Sequence, residues 1–212
     1  PVYAPHGRGV VVENCVPASY LDVAHDDSGV IGWPGSTHSH PFDVQEVGPA
    51  VARLLREGHQ YRGVGPADGL REALGLDADP DVTGSVELDE WPGALAGLGV
   101  GLAPLADTAF NAAKSRLKIV ELSSVGVPWV ASPRAEYLRW HKRTGVGLMA
   151  ERPKDWYRQV KRLVTDPVLR ADQSAAGRQA MASETIEGNA WRWLEAWTAA
   201  LQSQRSGRLL RV

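Results

Sequence analysis

Hydrophobic positions along the chain fall into short runs separated by longer amphipathic segments. The short runs are rich in β-branched residues and lie at 10–12, 30–32, 61–65, 82–86, 100–104, 127–131 and 146–149. The segments with helical spacing of apolar residues lie at 44–57, 70–74, 89–98, 114–125, 136–143, 154–165, 168–183 and 189–202. Strands that alternate with helices predict an α/β fold, with a doubly wound parallel sheet of Rossmann-like type. Ligands bind such sheets at the carboxyl ends of the strands.

The composition is that of an ordinary soluble globular protein. The 212 residues carry a formal net charge of -2, which gives no support to a nucleic-acid partner or a polybasic membrane contact. The single cysteine, Cys15, excludes an intrachain disulfide framework and suits a reducing, cytoplasmic location. No apolar run approaches the ~18 residues of a transmembrane segment. Because the first residue is Pro1 and not Met, we expect the chain to be a piece of a longer protein.

Three cations crowd the predicted start of the helix at 114–125, namely Lys114, Arg116 and Lys118. A helix N-terminus already carries partial positive charge, so each added cation is unfavourable by about 0.3–1 kcal/mol. Lys114, Lys118 and Glu121 are spaced i, i+4 and i+7, which predicts one shared helix face. Two lysines and the helix amides can hold a diphosphate, and a carboxylate one turn further can accept hydrogen bonds from ribose hydroxyls. The alternative is a solvated charged face with an ion pair between Lys118 and Glu121.

A long connection follows the run at 30–32. It covers residues 33–42, more than the roughly 2–6 residues usual in such folds, which favours a functional loop. The loop carries small or polar groups suited to surround phosphates or sugar hydroxyls, namely Gly35, Ser36, Thr37, His38 and His40, although a plain surface loop is the alternative. A metal site at His38 and His40 has little support, because no further ligand cluster has metal-like spacing. The glycines do not form a GxGxxG motif, which argues against a dinucleotide cofactor.

The helix after this loop starts with residues typical of a helix N-terminus. Asp43 and Glu46 have the spacing of a capping box. Phe42 and Val47 have the spacing of a hydrophobic staple, in which two apolar side chains pack across the first turn. The sequence therefore predicts that Asp43 caps this helix and that Phe42 packs against it.

Several motifs follow one another in a fixed order along the chain. They are Gly-Trp-Pro-Gly-Ser at 32–36, Thr-Gly-Ser-Val at 83–86, Phe-Asn-x-x-Lys-Ser-x-x-Lys-x-x-Glu at 110–121 and Gly-Val-Pro-Trp-Val-Ala-Ser at 126–132. This order resembles the C-terminal, nucleotide-sugar-binding half of a GT-B glycosyltransferase, closest to glycosyltransferase family 4. The similarity spans nearly all of residues 10–200. Its most specific part is the Lys-x-x-Glu helix followed by Gly-Val-Pro-x-Val-Ala-Ser.

The resemblance implies roles at the matching positions. Glu121 resembles the second glutamate of a motif that binds the nucleotide ribose, and Lys114 and Lys118 resemble contacts to the donor diphosphate. The first glutamate of that motif falls at Ala113, which leaves the donor sugar and the stereochemical course open. A basic grip on the diphosphate suits the metal-independent chemistry of this fold, so no metal or other cofactor is expected. The other residues expected at the nucleotide sugar are Gly35, Ser36, His38, Thr83, Gly84, Ser85, Val86, Asp107 and Asn111. Residues 83–86 among them resemble the loop that holds the base by its backbone groups.

The resemblance also divides the chain into three parts. Residues 1–28 resemble an interdomain segment, residues 29–184 the nucleotide-sugar-binding domain, and residues 185–212 a helix that crosses back to the N-terminal domain, with its tail. Trp191, Trp193 and Trp197 on that helix are expected to pack against the missing acceptor-binding domain. No catalytic base is assigned, and His38, the only titratable candidate nearby, is not given that role.

The expected function is that of the donor-binding domain of a glycosyltransferase, which transfers a sugar from a nucleoside-diphosphate sugar to an acceptor. The alternatives are a sugar-nucleotide epimerase or hydrolase on the same fold, and a non-catalytic nucleotide-sugar-binding module. Turnover of a donor separates an enzyme from a module, and transfer to an acceptor separates a transferase from an epimerase. A flavodoxin-like regulatory domain is disfavoured, because no acidic cluster follows the early strands.

Overall fold

The computed structural model describes residues 10–40 and 42–205. Within these ranges, the strands are β1 (Ile31–Pro34), β2 (Tyr61–Val64), β3 (Asp81–Val82), β4 (Val100–Ala103), β5 (Trp129–Ala131) and β6 (Leu148–Met149). All neighbouring pairs are parallel, and the spatial order is β3-β2-β1-β4-β5-β6. The order reverses between β1 and β4, as in a doubly wound sheet. The predicted fold class is confirmed.

Helices connect the strands and close the chain. They are α1 (Gly48–Arg56), α2 (Leu70–Leu74), α3 (Trp91–Ala96), α4 (Leu117–Ser124), α5 (Ala135–Thr144), α6 (Pro153–Thr165), α7 (Pro167–Met181) and α8 (Ile186–Arg205). Short 3-10 turns lie at Ala18–Asp22, Val44–Val47 and Asn111–Ala113. None of the helices in the described part of the chain is long and apolar enough to cross a membrane.

The sheet is covered on both faces because its strands are apolar on both sides. Successive residues of a strand point to opposite faces, and in β5 Val130 joins one core cluster while Trp129 and Ala131 join the other. Helices α1, α2 and α6 pack on the Val130 face, whereas α3, α4, α5 and α7 pack on the other. This layering leaves the two ends of the sheet free for loops.

Three predicted elements differ in the structure. The run at 82–86 contributes only Val82 to a strand, and residues 83–86 form a loop. Residues 10–12 form no strand, and Val10 and Val11 are exposed. β-branched residues favour extended backbone, but a strand also needs a partner, and residues 12–15 instead lie along α8. The helix predicted to begin at residue 114 begins at Leu117, since a 3-10 turn at Asn111–Ala113 and three non-helical residues precede it. Lys114 therefore lies outside the helix, and the predicted shared face of Lys114, Lys118 and Glu121 is wrong.

Arg116, the residue just before α4, has a structural role. Its side chain is 4% exposed and lies 2.8 Å from carboxylate oxygens of both Glu13 and Glu184. The guanidinium also stacks over the Trp140 ring at 4.6 Å. A buried arginine with two carboxylate partners ties the chain before β1 to the junction of α7 and α8. One of the three cations at the start of this helix is thus explained by packing.

The C-terminal helix α8 presents large apolar side chains to solvent. Trp191, Trp193 and Trp197 are 53%, 49% and 61% exposed, and Leu194 and Leu201 are exposed beside them. The rings of Trp193 and Trp197 contact each other at a tilt of 45°, with centroids 5.9 Å apart. The start of the helix is anchored, since Val16 pairs with Thr185 at its entrance. The patch is larger than isolated surface apolar residues account for, which is typical of a surface that meets another partner.

Candidate functional site

Three loops meet at the carboxyl ends of β1, β2 and β3. The Gly35 amide donates to the Val64 carbonyl oxygen at 2.9 Å, and a Cβ on Gly65 would lie only 2.6 Å from the Gly35 carbonyl oxygen. Gly65 in turn forms an antiparallel bridge with Gly84, whose φ is +73°. Small residues are needed where backbones approach this closely. The loops expected to hold the phosphates and the base are thus packed side by side.

Asp43 is the centre of the opposite part of the site. It is 3% exposed, and its side chain makes no capping bond to the following helix, so the predicted capping box is wrong. Instead, Asp43 Oδ1 accepts hydrogen bonds from the Ala106 amide at 3.0 Å and from Asn111 Nδ2 at 2.6 Å. The cap spacing was misleading because a carboxylate can satisfy distant donors as well as those of its own helix. Phe42 is 63% exposed and does not form the predicted staple.

The second oxygen of Asp43 receives two further donors. His40 Nδ1 lies 2.9 Å and Lys114 Nζ 3.2 Å from Asp43 Oδ2, and Lys114 also contacts His40. Burial would raise the pKa of Asp43, but the hydrogen bonds from His40, Ala106 and Asn111 and the charge of Lys114 hold it well below its usual range. We call His40, Asp43, Asn111 and Lys114 the loop cluster. It ties the loop after β1 to the loop after β4 across the point where the strand order reverses.

Lys118 and Glu121, which we call the helix pair, lie on the first turns of α4. Lys118 Nζ lies 5.0 Å above the Trp33 ring and forms no ion pair with a carboxylate of the described residues. Burial lowers the pKa of Lys118 to about 8, and the charge of Lys114 acts in the same direction. The alternative of a solvated face with a Lys118–Glu121 ion pair does not describe this arrangement.

Glu121, like Lys118, is half-buried. Burial raises the pKa of Glu121 to about 7, while a hydrogen bond from Trp91 and the charge of Lys118 oppose this rise. An acid and a base whose pKa values both move toward neutrality through burial are a common feature of functional sites. Trp91 was not singled out by the sequence, because its position at the start of a short helix looks like ordinary packing.

Two cavities open at this end of the sheet. One, of about 260 Å³, is lined by residues of the loop cluster together with Ser39, Phe42, Thr108 and Phe110. The other, of about 430 Å³, is lined by the loop after β2 and by Pro80, Val82, Gly84 and Ser85 near the end of β3. The first contains the lysine expected to meet phosphate, and the second contains part of the loop expected to hold the base.

The other residues predicted from the sequence differ in how close they lie to the loop cluster and the glycine loops. Thr83 Oγ1 accepts from the Gly65 amide at 3.0 Å, so its hydroxyl helps hold the two loops together. Ser36 is half-buried and its carbonyl accepts from the His40 amide at 3.0 Å. Ser85 is exposed and Val86 half-buried in the same loop as Thr83.

His38 and Asp107 lie apart from the loop cluster. His38 is exposed, and Asp107, 87% exposed, lies 3.9 Å from Arg134 at the edge of the loop after β4. Asn111 is buried, with both of its amide hydrogens used within the protein, one on Asp43 and one on the Ala106 carbonyl at 2.9 Å. It therefore positions Asp43. Within the described ranges, no group of three or more His, Cys, Asp or Glu side chains could hold a metal ion.

Comparisons with known proteins bear on the fold. No family model and no curated protein sequence matches the chain. The fold is similar to that of HepE from Anabaena, solved in complex with UDP, with a TM-score of 0.70 and 14% identity over 90% of this chain and 57% of that protein. A glycosyltransferase from Rickettsia africae gives 0.69 and 14%, over 91% and 57%. Sucrose-phosphate synthase from Thermosynechococcus elongatus gives 0.65 and 12%, over 89% and 52%. The chain spans little more than half the length of these proteins.

Proposed function

We propose that this chain is the donor-binding domain of a glycosyltransferase that uses a nucleoside-diphosphate sugar. The observation that carries the proposal is the meeting of Lys114, Lys118 and Glu121 at the reversal point of a doubly wound sheet, next to a close-packed glycine loop. Anions bind where lysines and backbone amides converge, and ligands of these sheets bind at this point. That similar folds belong to glycosyltransferases, and that HepE was solved with UDP, supports the same conclusion.

Each part of the donor has a proposed partner. Lys114 and Lys118 neutralise the diphosphate together with the loop of Gly35, Ser36 and His38. Glu121 accepts hydrogen bonds from the ribose hydroxyls once it is ionised. The base occupies the cavity of about 430 Å³ and meets backbone groups of residues 83–86. Because the lysines supply the positive charge, the proposal includes no metal ion.

The acceptor and its binding residues are proposed to belong to another domain, N-terminal to this one. The chain covers only 57% of HepE, and the exposed tryptophans of α8 form a surface suited to pack against further protein. On this proposal, residues 1–28 join the two domains and residues 185–212 cross back between them. We expect the isolated chain to self-associate through the exposed tryptophans of α8, and Trp193→Gln and Trp197→Gln to reduce this association in sedimentation experiments. A chain that is monomeric with and without these substitutions would count against the docking of α8.

Calorimetric titration tests the function directly. The chain is titrated with UDP, GDP, ADP, CDP and dTDP, with the corresponding nucleosides, and with the sugar conjugate of whichever diphosphate binds. We expect one nucleoside diphosphate to bind at least about tenfold more tightly than its nucleoside, a difference of about 1.4 kcal/mol. Absence of binding by all five diphosphates, in a chain shown to be folded, would refute the proposal.

A further inference from the structure

Lys118, the cation of the helix pair, extends over the carboxyl end of the sheet. Helix α4, which carries it, packs on the face of the sheet whose core contains Ile119 and Leu122. Trp33, near the end of β1, packs in the core of the opposite face. Lys118 Nζ nevertheless lies 5.0 Å from the centre of the Trp33 ring. The ammonium group is therefore held above an aromatic ring at the point where the strand order reverses.

The Trp33 ring is a rigid surface. It is fully buried, and in a close-packed core a large side chain keeps one position. The loop after β1 turns against it, since a Cβ on Gly35 would lie only 2.7 Å from the ring carbon Cζ2. The indole nitrogen has no hydrogen-bond partner in the described part of the chain, so packing fixes the ring. Trp33 thus joins the loop after β1 to helix α4.

An aromatic ring attracts a cation without neutralising it. The face of the ring is electron-rich, tryptophan binds cations best among the aromatic side chains, and the attraction acts within roughly 6 Å of the ring centre. The other charges that act on Lys118 are those of Asp43, Lys114 and Glu121, and neither of these carboxylates forms an ion pair with it. A paired carboxylate would cancel the positive charge, whereas the ring leaves it available to an anion.

We propose that Trp33 is a positioning residue of the diphosphate site, one that holds the Lys118 ammonium in place and in its charged form. The inference rests on the proposed function, since it takes Lys118 as a phosphate ligand. Trp33 does not touch the ligand itself, because its side chain is fully buried. It acts through Lys118. Without the ring, the ammonium loses both its fixed position and an interaction that opposes the cost of burying its charge.

The first measurement locates the ammonium in the full chain without any ligand. The ring current of an indole shifts protons above its face upfield, so NMR with ¹³C-labelled lysine should show one set of ε-protons well upfield of the others. Lys118→Met should remove this signal and so assign it. Trp33→Phe, with a smaller ring, should reduce the upfield shift, and Trp33→Leu should abolish it. A Lys118 signal at the usual position in the wild type would overturn the inference.

The second measurement is calorimetric titration with inorganic pyrophosphate and with whichever of UDP, GDP, ADP, CDP and dTDP binds, beside its nucleoside. We expect Trp33→Leu to weaken the binding of both diphosphates about tenfold and Trp33→Phe about threefold, while the nucleoside binds unchanged. In the Lys118→Met background, Trp33→Leu should cause no further loss, since the ring acts through that lysine. If Trp33→Leu does not fold, Trp33→Phe with and without Lys118→Met carries the comparison.

Trp156→Leu is the matched control, because Trp156 is a second fully buried indole in the core of the same face as Trp33. It should lower the melting temperature as Trp33→Leu does, but leave the diphosphate affinity unchanged. An equal loss of affinity in this control, or the same loss from Trp33→Leu with and without Lys118, would indicate a general effect of the core and would overturn the inference alone. If the wild type binds neither pyrophosphate nor any of the five nucleoside diphosphates, the proposed function and the inference are both refuted.

Discussion

The loop cluster and the helix pair lie in the same site but satisfy their charges in opposite ways. In the loop cluster, Asp43 is almost fully buried and accepts from four donors, which hold its pKa below the usual range despite burial. In the helix pair, burial outweighs the opposing contacts: the pKa of Lys118 falls to about 8 and that of Glu121 rises to about 7. One region stabilises the unliganded fold, and the other is destabilised by its own ionised groups.

The difference indicates which residues wait for a ligand. A buried polar network with every donor paired fixes geometry before binding. Half-buried charges whose partners do not offset the cost of burial are unfavourable unless a ligand supplies further partners, and such groups are found where function requires them. We infer that the loop cluster positions Lys114 in advance, whereas Lys118 and Glu121 are completed by the diphosphate and the ribose. Removing a group from the first region should therefore destabilise the fold, and removing one from the second should stabilise it.

The largest expected effect is that of Asp43→Ala. The change leaves His40, Asn111, Lys114 and the Ala106 amide without their shared acceptor. Loss of one partner from a buried charged network typically costs about 3–5 kcal/mol, so we expect a loss of about that size in the free energy of unfolding. Urea denaturation at neutral pH measures it.

The matched control for this change is Asp107→Ala, which removes an exposed aspartate from the adjoining loop. It should change the free energy of unfolding by less than about 0.5 kcal/mol. A similar loss in both variants would mean that the loop cluster contributes no more than ordinary surface charge. The claim that the loop cluster stabilises the unliganded fold would then be wrong.

Glu121→Gln should show the opposite sign, with a size that depends on pH. The folded pKa of about 7 lies above the reference value of 4.5, so ionisation in the folded state is unfavourable. The wild type therefore loses stability relative to the variant as the pH rises from 4.5 through 7. We expect no difference near pH 4.5 and a gain on the order of 1–3 kcal/mol for the variant above pH 7.5. Thermal melts across this range, with exposed Glu195→Gln as the control, measure it.

The same variant should bind nucleoside diphosphates less tightly. Hydrogen bonds to a charged group typically contribute about 1.5–3 kcal/mol, which is the expected loss of binding free energy for Glu121→Gln. Calorimetric titration with the diphosphate identified by the panel measures it. A variant that is more stable and binds equally well would show that Glu121 is strained for a reason unrelated to the nucleotide.

The sequence predicted the fold well because periodicity reports burial. The alternation of runs such as 100–104 and 127–131 with helical segments is a direct consequence of a sheet covered on both faces, and both runs became strands. The run at 10–12 failed because β-branched residues report extended backbone but not the presence of a partner strand. Helix α4 was placed three residues early, since nothing in Lys114 or Ser115 marks a non-helical residue.

The site was only partly predictable, because some of its residues are far apart in the sequence. Lys114, Lys118 and Glu121 stand in one motif and could be named from it, although the shared helix face that their spacing suggested is wrong. Asp43 meets Asn111 across 68 positions, and its local spacing to Glu46 suggested a cap instead. Both histidines were named among the polar groups of their loop, but only His38 was expected at the nucleotide sugar. The contact with Asp43, which His40 makes, could not be read from the local pattern. Contacts between loops depend on strand order, which local pattern does not specify.

The smallest effect, and the sharpest test of the comparison, is the pair Lys114→Met and Lys118→Met. Both substitutions should weaken the binding of the nucleoside diphosphate and leave the binding of the bare nucleoside unchanged. Their effects on stability should differ in sign at pH 7. Lys114→Met removes a donor from Asp43 and should cost about 1 kcal/mol. Lys118→Met removes a charge that burial disfavours and should add about 1 kcal/mol. Because the folded pKa of Lys118 is about 8 against a reference of 10.5, this gain should disappear as the pH rises toward 10.5. Exposed Lys154→Met is the control, with no expected change. If both substitutions lower the free energy of unfolding equally, the distinction between a preorganised region and one that awaits its ligand is wrong.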